Sequence, residues 1–121
     1  MSRPVGREPG SPEEGVRVLL ANEPRSYRES IAVVFRQLRP ELEVAVAEPE
    51  DLEGCVERFR PHVAVFSRAA VEVRGRVPVW VELYPEHAAR SIACERGERR
   101  EYAEIQLQDL LSIVDRAARP D

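Results

Sequence analysis

Ser67, closing the apolar run "HVAVF", and Asn22-Glu23, closing the run "VRVLL", are the polar residues best placed to do chemistry. Turns at the carboxyl ends of strands are where α/β folds carry their sites. A serine attacks only when a base takes its proton, and spacing ties neither His62 nor His87 to Ser67. Glu23 can meet a cation, although an acidic side chain at a helix N-terminus is favoured by the helix dipole alone. Tyr84 and His87, with Glu82 and Glu86 nearby, can line a site beyond an apolar run, but one histidine among glutamates has no metal-site spacing. Cys55 and Cys94 each lack a second cysteine two to four positions away and read as core thiols. Arg96, Arg99 and Arg100 in "ERGERRE" suit an acidic partner or a solvated surface. No glycine-rich phosphate loop accompanies them. Without a paired nucleophile and base, the expectation is a protein that is not an enzyme and uses no cofactor or metal.

The elements that position these residues follow from periodicity. "VRVLL" is nearly continuous in apolar residues, as in a strand covered on both faces. Tyr27, Ile31, Val34, Phe35 and Leu38 recur at helical spacing, and Ser26 with Glu29 has the spacing of a capping box. "LEVAVAE" predicts a second strand, and "EPEDLEGCVERFRP" a second helix with Leu52, Cys55, Val56 and Phe59 inward. "HVAVF" and "VPVWVEL" predict strands three and four, and the short segment between them leaves room only for a short helix. "RSIACE" and "REYAEI", around Arg96-Gly97-Glu98, predict a β-hairpin or two adjoining edge strands. Leu107, Leu110, Leu111 and Val114 define a last helix. Alternating strands and helices imply an α/β fold, a three-layer αβα sandwich with a mostly parallel sheet. Trp80, flanked by Val79 and Val81, reads as core, with an interface anchor as the alternative.

A chain of 121 residues suits one domain, expected over residues 15–119 behind a flexible tail at 1–14 that holds three prolines. A net charge of -4 argues against nucleic acid, whose binding rests on neutralising phosphates. No apolar run approaches the roughly 18 residues of a membrane span, so neither membrane nor nucleic acid is an expected partner, and a cytoplasmic location is the default. All 18 basic residues are arginine; the chain has no lysine and no threonine.

"VRVLLANEPRSYRESIAVVF", "RPHVAVFS", "VPVWVELY" and "EIQLQDLLSIV" together resemble a response-regulator receiver domain, over roughly residues 16–118. The resemblance implies a flavodoxin-like sheet of order 2-1-3-4-5, here with a shortened third crossover and a hairpin-like segment in place of the fourth helix. It also implies a short set of phosphorylation groups. The acidic pair that helps hold Mg²⁺ matches Asn22 and Glu23, and one carboxylate beside a neutral amide leaves the metal's charge largely uncompensated. The phosphoacceptor aspartate matches Ser67, and the four aspartates, Asp51, Asp109, Asp115 and Asp121, lie elsewhere. The hydroxyl that senses the phosphoryl group matches Leu83, and the charge-balancing lysine matches Ala103. Phosphoryl transfer depends on positioned positive charge, and no shift of register can supply a lysine the chain lacks.

What the resemblance implies is a degenerate pseudo-receiver: a phosphorylation-independent signalling or regulatory module that binds another protein or itself as a homodimer. Its candidate surface is Tyr84, Arg96, Arg99 and Arg100. The alternative is a small-ligand sensor using the crevice at the strand ends, around Asn22, Glu23, Ser67, Leu83 and Ala103.

Overall fold

Val18 and Leu20 join one buried apolar cluster and Leu19 and Ala21 another, so the first strand is covered on both faces. The same division runs through the sheet of the computed structural model, which describes residues 15–68 and 71–118. Val63, Val65, Val79, Val81 and Ala93 face one side; Ala64, Phe66, Trp80 and Cys94 face the other. In chain order the elements are β1 (Arg17–Ala21), α1 (Arg25–Leu38), β2 (Glu43–Val46), α2 (Leu52–Phe59), β3 (Val63–Phe66), α3 (Val71–Arg74), β4 (Val79–Glu82), β5 (Ser91–Glu95), β6 (Glu98–Tyr102) and α4 (Leu107–Ala117). Short 3-10 turns at Pro49–Asp51 and Pro85–His87 complete them. α1 and α4 contribute Ile31, Phe35, Leu110 and Ile113 to the first cluster, while α2 and α3 contribute Leu52, Val56 and Val73 to the second. Helices therefore lie on both faces of a mixed, mostly parallel sheet.

The sheet runs β2-β1-β3-β4-β5-β6, parallel from β2 to β4 and antiparallel through β5 and β6. This corrects the five-strand order 2-1-3-4-5. The hairpin expected in place of the fourth helix is present, and both of its strands extend the sheet. The reason is chain length: the eight residues between Glu82 and Ser91 are too few for a crossover, so β5 returns beside β4 in the opposite direction. Arg96 and Gly97 form the two-residue turn, both at positive φ (53° and 92°), the pairing that matches the twist of a tight hairpin. The third crossover is short, as expected, and α3 has four residues.

Two local expectations are also corrected. Ser26 does not cap α1: the helix begins at Arg25 behind Pro24, Ser26 lies inside it, and Glu29 pairs with Arg25 at 2.8 Å instead. Pro24 stands at the N-cap with no side-chain oxygen to accept from the exposed N–H groups of the first turn, so no side-chain cap forms. The buried stripe of α1 is Arg28, Ile31, Ala32 and Phe35, which leaves Leu38 exposed at the last turn. A capping box does form at α4, where the Asp109 carboxylate accepts the Gln106 N–H at 2.8 Å. The expected tail at 1–14 lies outside the described residues. Among the described residues, no helix is long and apolar enough to cross a membrane.

Arg116 fastens α4 to β5 through two hydrogen bonds to Glu95, at 2.8 and 2.7 Å. The hydrogen bond from Arg116 holds the Glu95 carboxyl below its usual range, against the opposing effect of partial burial. A carboxylate lowered in the folded state stabilises the fold above its unfolded pKa and loses that contribution as pH falls through the folded value. Arg116→Gln is expected to cost about 1 kcal/mol at neutral pH, the upper range for a solvent-accessible pair, as this one is only partly buried. Urea titrations of both proteins should show the difference shrinking to nothing in strong acid.

Candidate functional site

The carboxyl ends of β1, β3 and β4 open into a crevice of about 800 Å³, within the range of small-ligand sites. Glu23 and Pro24 line it from the β1–α1 turn, Ser67 and Arg68 from the end of β3, and Leu83, Tyr84 and His87 from the loop after β4. A smaller cavity, about 470 Å³, lies at the opposite ends of the strands around Arg60, His62 and Arg76.

Parallel pairing of β1 and β3 sets Ala21 beside Phe66, which brings the residues that follow them together. The Glu23 N–H donates to Ser67 Oγ at 3.0 Å. The Leu83 N–H donates to the Phe66 carbonyl at 2.7 Å, tying the end of β4 to the same place. Leu83 itself is buried in the α1/α4 cluster and offers the crevice no donor. Ser67→Ala removes the acceptor of an exposed N–H, and a loss of about 1 kcal/mol in denaturant unfolding is the expected result.

Tyr84 sits in the left-handed region at φ 44°, and His87 follows at φ 66°. Two non-glycine residues in that region within one short loop cost free energy that surrounding contacts must offset. For Tyr84 those contacts are visible. Its N–H donates to Ser91 Oγ at 3.0 Å, its hydroxyl accepts the Ile105 N–H at 3.3 Å, and its ring packs on the core. Burial, with Tyr84 nearby, raises the pKa of the Tyr27 phenol, which is therefore protonated at neutral pH.

Asn22 is fully buried, and neither its Oδ1 nor its Nδ2 finds a hydrogen-bonding partner among the described residues. Its backbone carbonyl accepts from Arg28 Nη1 at 3.2 Å, and Arg28 Nη2 reaches Glu48 at 3.0 Å. Arg28 thus threads from the buried face of α1 to the turn that carries Asn22 and Glu23. An unpaired buried amide is costly. Asn22→Leu is expected to leave stability unchanged or raise it by about 1 kcal/mol, measured as a shift of the thermal midpoint.

The structure brings Glu23, Ser67, Leu83 and Tyr84 to one crevice; Asn22, fully buried, and Ala103, exposed just beyond β6, are not among its lining residues. It also divides the expected interaction surface. Arg96 lies by the amino end of β4, where its N–H donates to the Pro78 carbonyl, and Arg99 and Arg100 lie on β6, whereas Tyr84 follows the carboxyl end of β4. Pattern reading passed over Arg68 and Pro24, which line the crevice, and Arg28, which holds the turn that carries Asn22. Arg28 had a signal, since it occupies the i position of the stripe continued by Ile31, Ala32 and Phe35. Arg68 had none.

The crevice offers a hydroxyl, an imidazole, a phenol, a guanidinium and one carboxylate, which suit hydrogen bonding and charge recognition. No three histidine, cysteine, aspartate or glutamate side chains come together as a metal site among the described residues. Comparison with protein-family models, with curated proteins and with solved structures finds no match to this chain.

Proposed function

We propose that the chain is a receiver-like regulatory module of the cytoplasm that acts by binding protein, with no phosphorylation step as its switch. The observation that carries this reading is the Glu23 N–H to Ser67 Oγ hydrogen bond, which joins the two turns that in a receiver would hold metal and phosphoryl group. A neutral alcohol accepting a backbone N–H closes the top of the sheet without metal or charge. With Leu83 buried and no lysine anywhere in the chain, a phosphoryl group in this crevice would lack both the hydroxyl and the ammonium that receivers use. Magnesium distinguishes the two kinds of site. A cation bound only by the folded state raises its melting temperature; here the midpoint is expected to stay within about 1 °C on adding excess Mg²⁺, and a rise of several degrees would contradict the reading.

The crevice volume favours a second reading, a sensor of a small polar ligand at the strand ends. Saturable changes at His87 and Tyr84 in nuclear magnetic resonance titrations with small carboxylates and phosphates would support it over the first.

A further inference from the structure

We infer that β6 is a self-complementary edge through which two copies of this chain join their sheets, with the two-fold axis passing through Arg100. The inference rests on the reading of the chain as a protein-binding module and names its partner as a second copy. β6 ends the sheet, and no element among the described residues pairs with its outer side. Which of its backbone groups face outward follows from the hairpin. The Arg96 N–H donates to the Pro78 carbonyl on β4, so Arg96, Cys94 and Ile92 bond toward β4 while Glu95, Ala93 and Ser91 bond toward β6. Their partners on β6 are Glu98, Arg100 and Tyr102. The N–H and C=O groups of Arg99 and Glu101 therefore point outward, and both side chains are exposed.

Two identical antiparallel strands in one sheet are related by a two-fold axis normal to that sheet, which passes through a residue position because opposed residues share a face. An axis at Arg99 also sets Glu98 opposite the partner's Arg100, but it opposes two arginines at a hydrogen-bonded position and leaves Glu101 against the partner's turn glycine instead of β6; an axis at Glu101 opposes two glutamates. An axis at Arg100 sets Arg99 opposite the partner's Glu101 and Glu101 opposite the partner's Arg99, so all the outward groups are paired and both bonded positions carry opposite charge. Arg100 then faces the partner's Arg100 at the one like-charged position of this register, a cost that the partner's Glu98 on the diagonal reduces. Charged residues commonly keep an edge strand from pairing. Here the order Glu98-Arg99-Arg100-Glu101, together with the outward groups of Arg99 and Glu101, favours the register at Arg100, and that register selects the same sequence as partner.

A five-residue edge is smaller than a standard interface, so the dimer is weak and concentration-dependent. Sedimentation velocity of the full chain over a rising concentration series, at low ionic strength, tests it. The wild-type chain should shift toward dimer. Arg99→Glu and Glu101→Arg should each weaken the dimer roughly tenfold, because two opposed pairs become like-charged. The double swap should return to within about threefold of wild type, and the two single variants mixed should form a heterodimer. Circular dichroism checks that each variant folds, and Glu101→Arg carries the test independently of the Arg99 contact with Trp80. A wild-type monomer at every concentration, or a dimer indifferent to both single swaps, would overturn the inference. Either result leaves the phosphorylation-free reading standing, since magnesium binding and phosphoryl incorporation test that separately.

Discussion

Trp80→Ala is expected to destabilise the protein by about 3–5 kcal/mol, the range for truncating a buried aromatic. The indole is 5% exposed and fills the face of the sheet covered by α2 and α3. Its ring lies 6.4 Å from that of Phe66, with the Arg74 guanidinium 4.9 Å from its centre and that of Arg99 at 5.7 Å. Removing it opens a cavity and also strips two cations of an aromatic face, each contact contributing about 0.5–2 kcal/mol. Unfolding in urea followed by circular dichroism measures the loss; a change below about 1 kcal/mol would mean the site collapses around the alanine. Tryptophan is often an interface anchor, but this one is occupied from both sides by its own chain, so its binding energy is spent on the fold.

Arg74→Met is the second large effect, expected at about 3 kcal/mol, because it leaves Glu82 buried without its cation. Glu82 is 1% exposed at the end of β4, and Arg74 Nε donates to its Oε2 at 2.6 Å. The pair explains why a four-residue helix persists between β3 and β4: Val73 fills the core beneath it while Arg74 covers both Glu82 and Trp80. Adding Glu82→Leu to Arg74→Met should recover most of the loss, since replacing both members of a buried pair by apolar groups is far less costly than removing one. Thermal and urea unfolding of the two variants would show it. A double variant no more stable than Arg74→Met would mean that the helix position, rather than the orphaned carboxylate, sets the cost.

The strands were legible in the sequence because burial on both faces leaves runs such as "VRVLL" and "HVAVF" with little polar interruption. Periodicity located α1 but misplaced its stripe by counting Leu38 and passing over Arg28, whose guanidinium is buried because Glu48 and the Asn22 carbonyl receive it. Hydropathy cannot register a charge whose partners come from other elements. Glu82 is the same case, a carboxylate inside "VWVEL" that signals a buried partner without naming Arg74. The hairpin was legible from Arg96-Gly97, but its membership of the main sheet depends on where the chain returns from β4, which no local pattern records.

Of the candidate site, Glu23, Ser67 and Tyr84 could be placed together because strand ends gather at one edge of a parallel sheet. Ala103 could not: it was assigned by likeness to a chain whose fifth strand is parallel, whereas here two antiparallel turns bring it to the same edge of the sheet but two strands along from β4, outside the crevice lining. The unpaired amide of Asn22 depends on the absence of neighbours, a property of the packing alone.

The most direct test of a receiver-like module without phosphoryl chemistry is the intact mass of the folded chain after incubation with Mg²⁺ and a small acyl-phosphate donor. The expected result is an unchanged mass, because on the proposed reading Ser67, Leu83 and the buried Asn22 amide take the places of acceptor, sensor and metal ligand, and no lysine exists to balance the charge. A stoichiometric phosphoryl adduct, mapped by fragmentation to a residue at the strand ends, would contradict it.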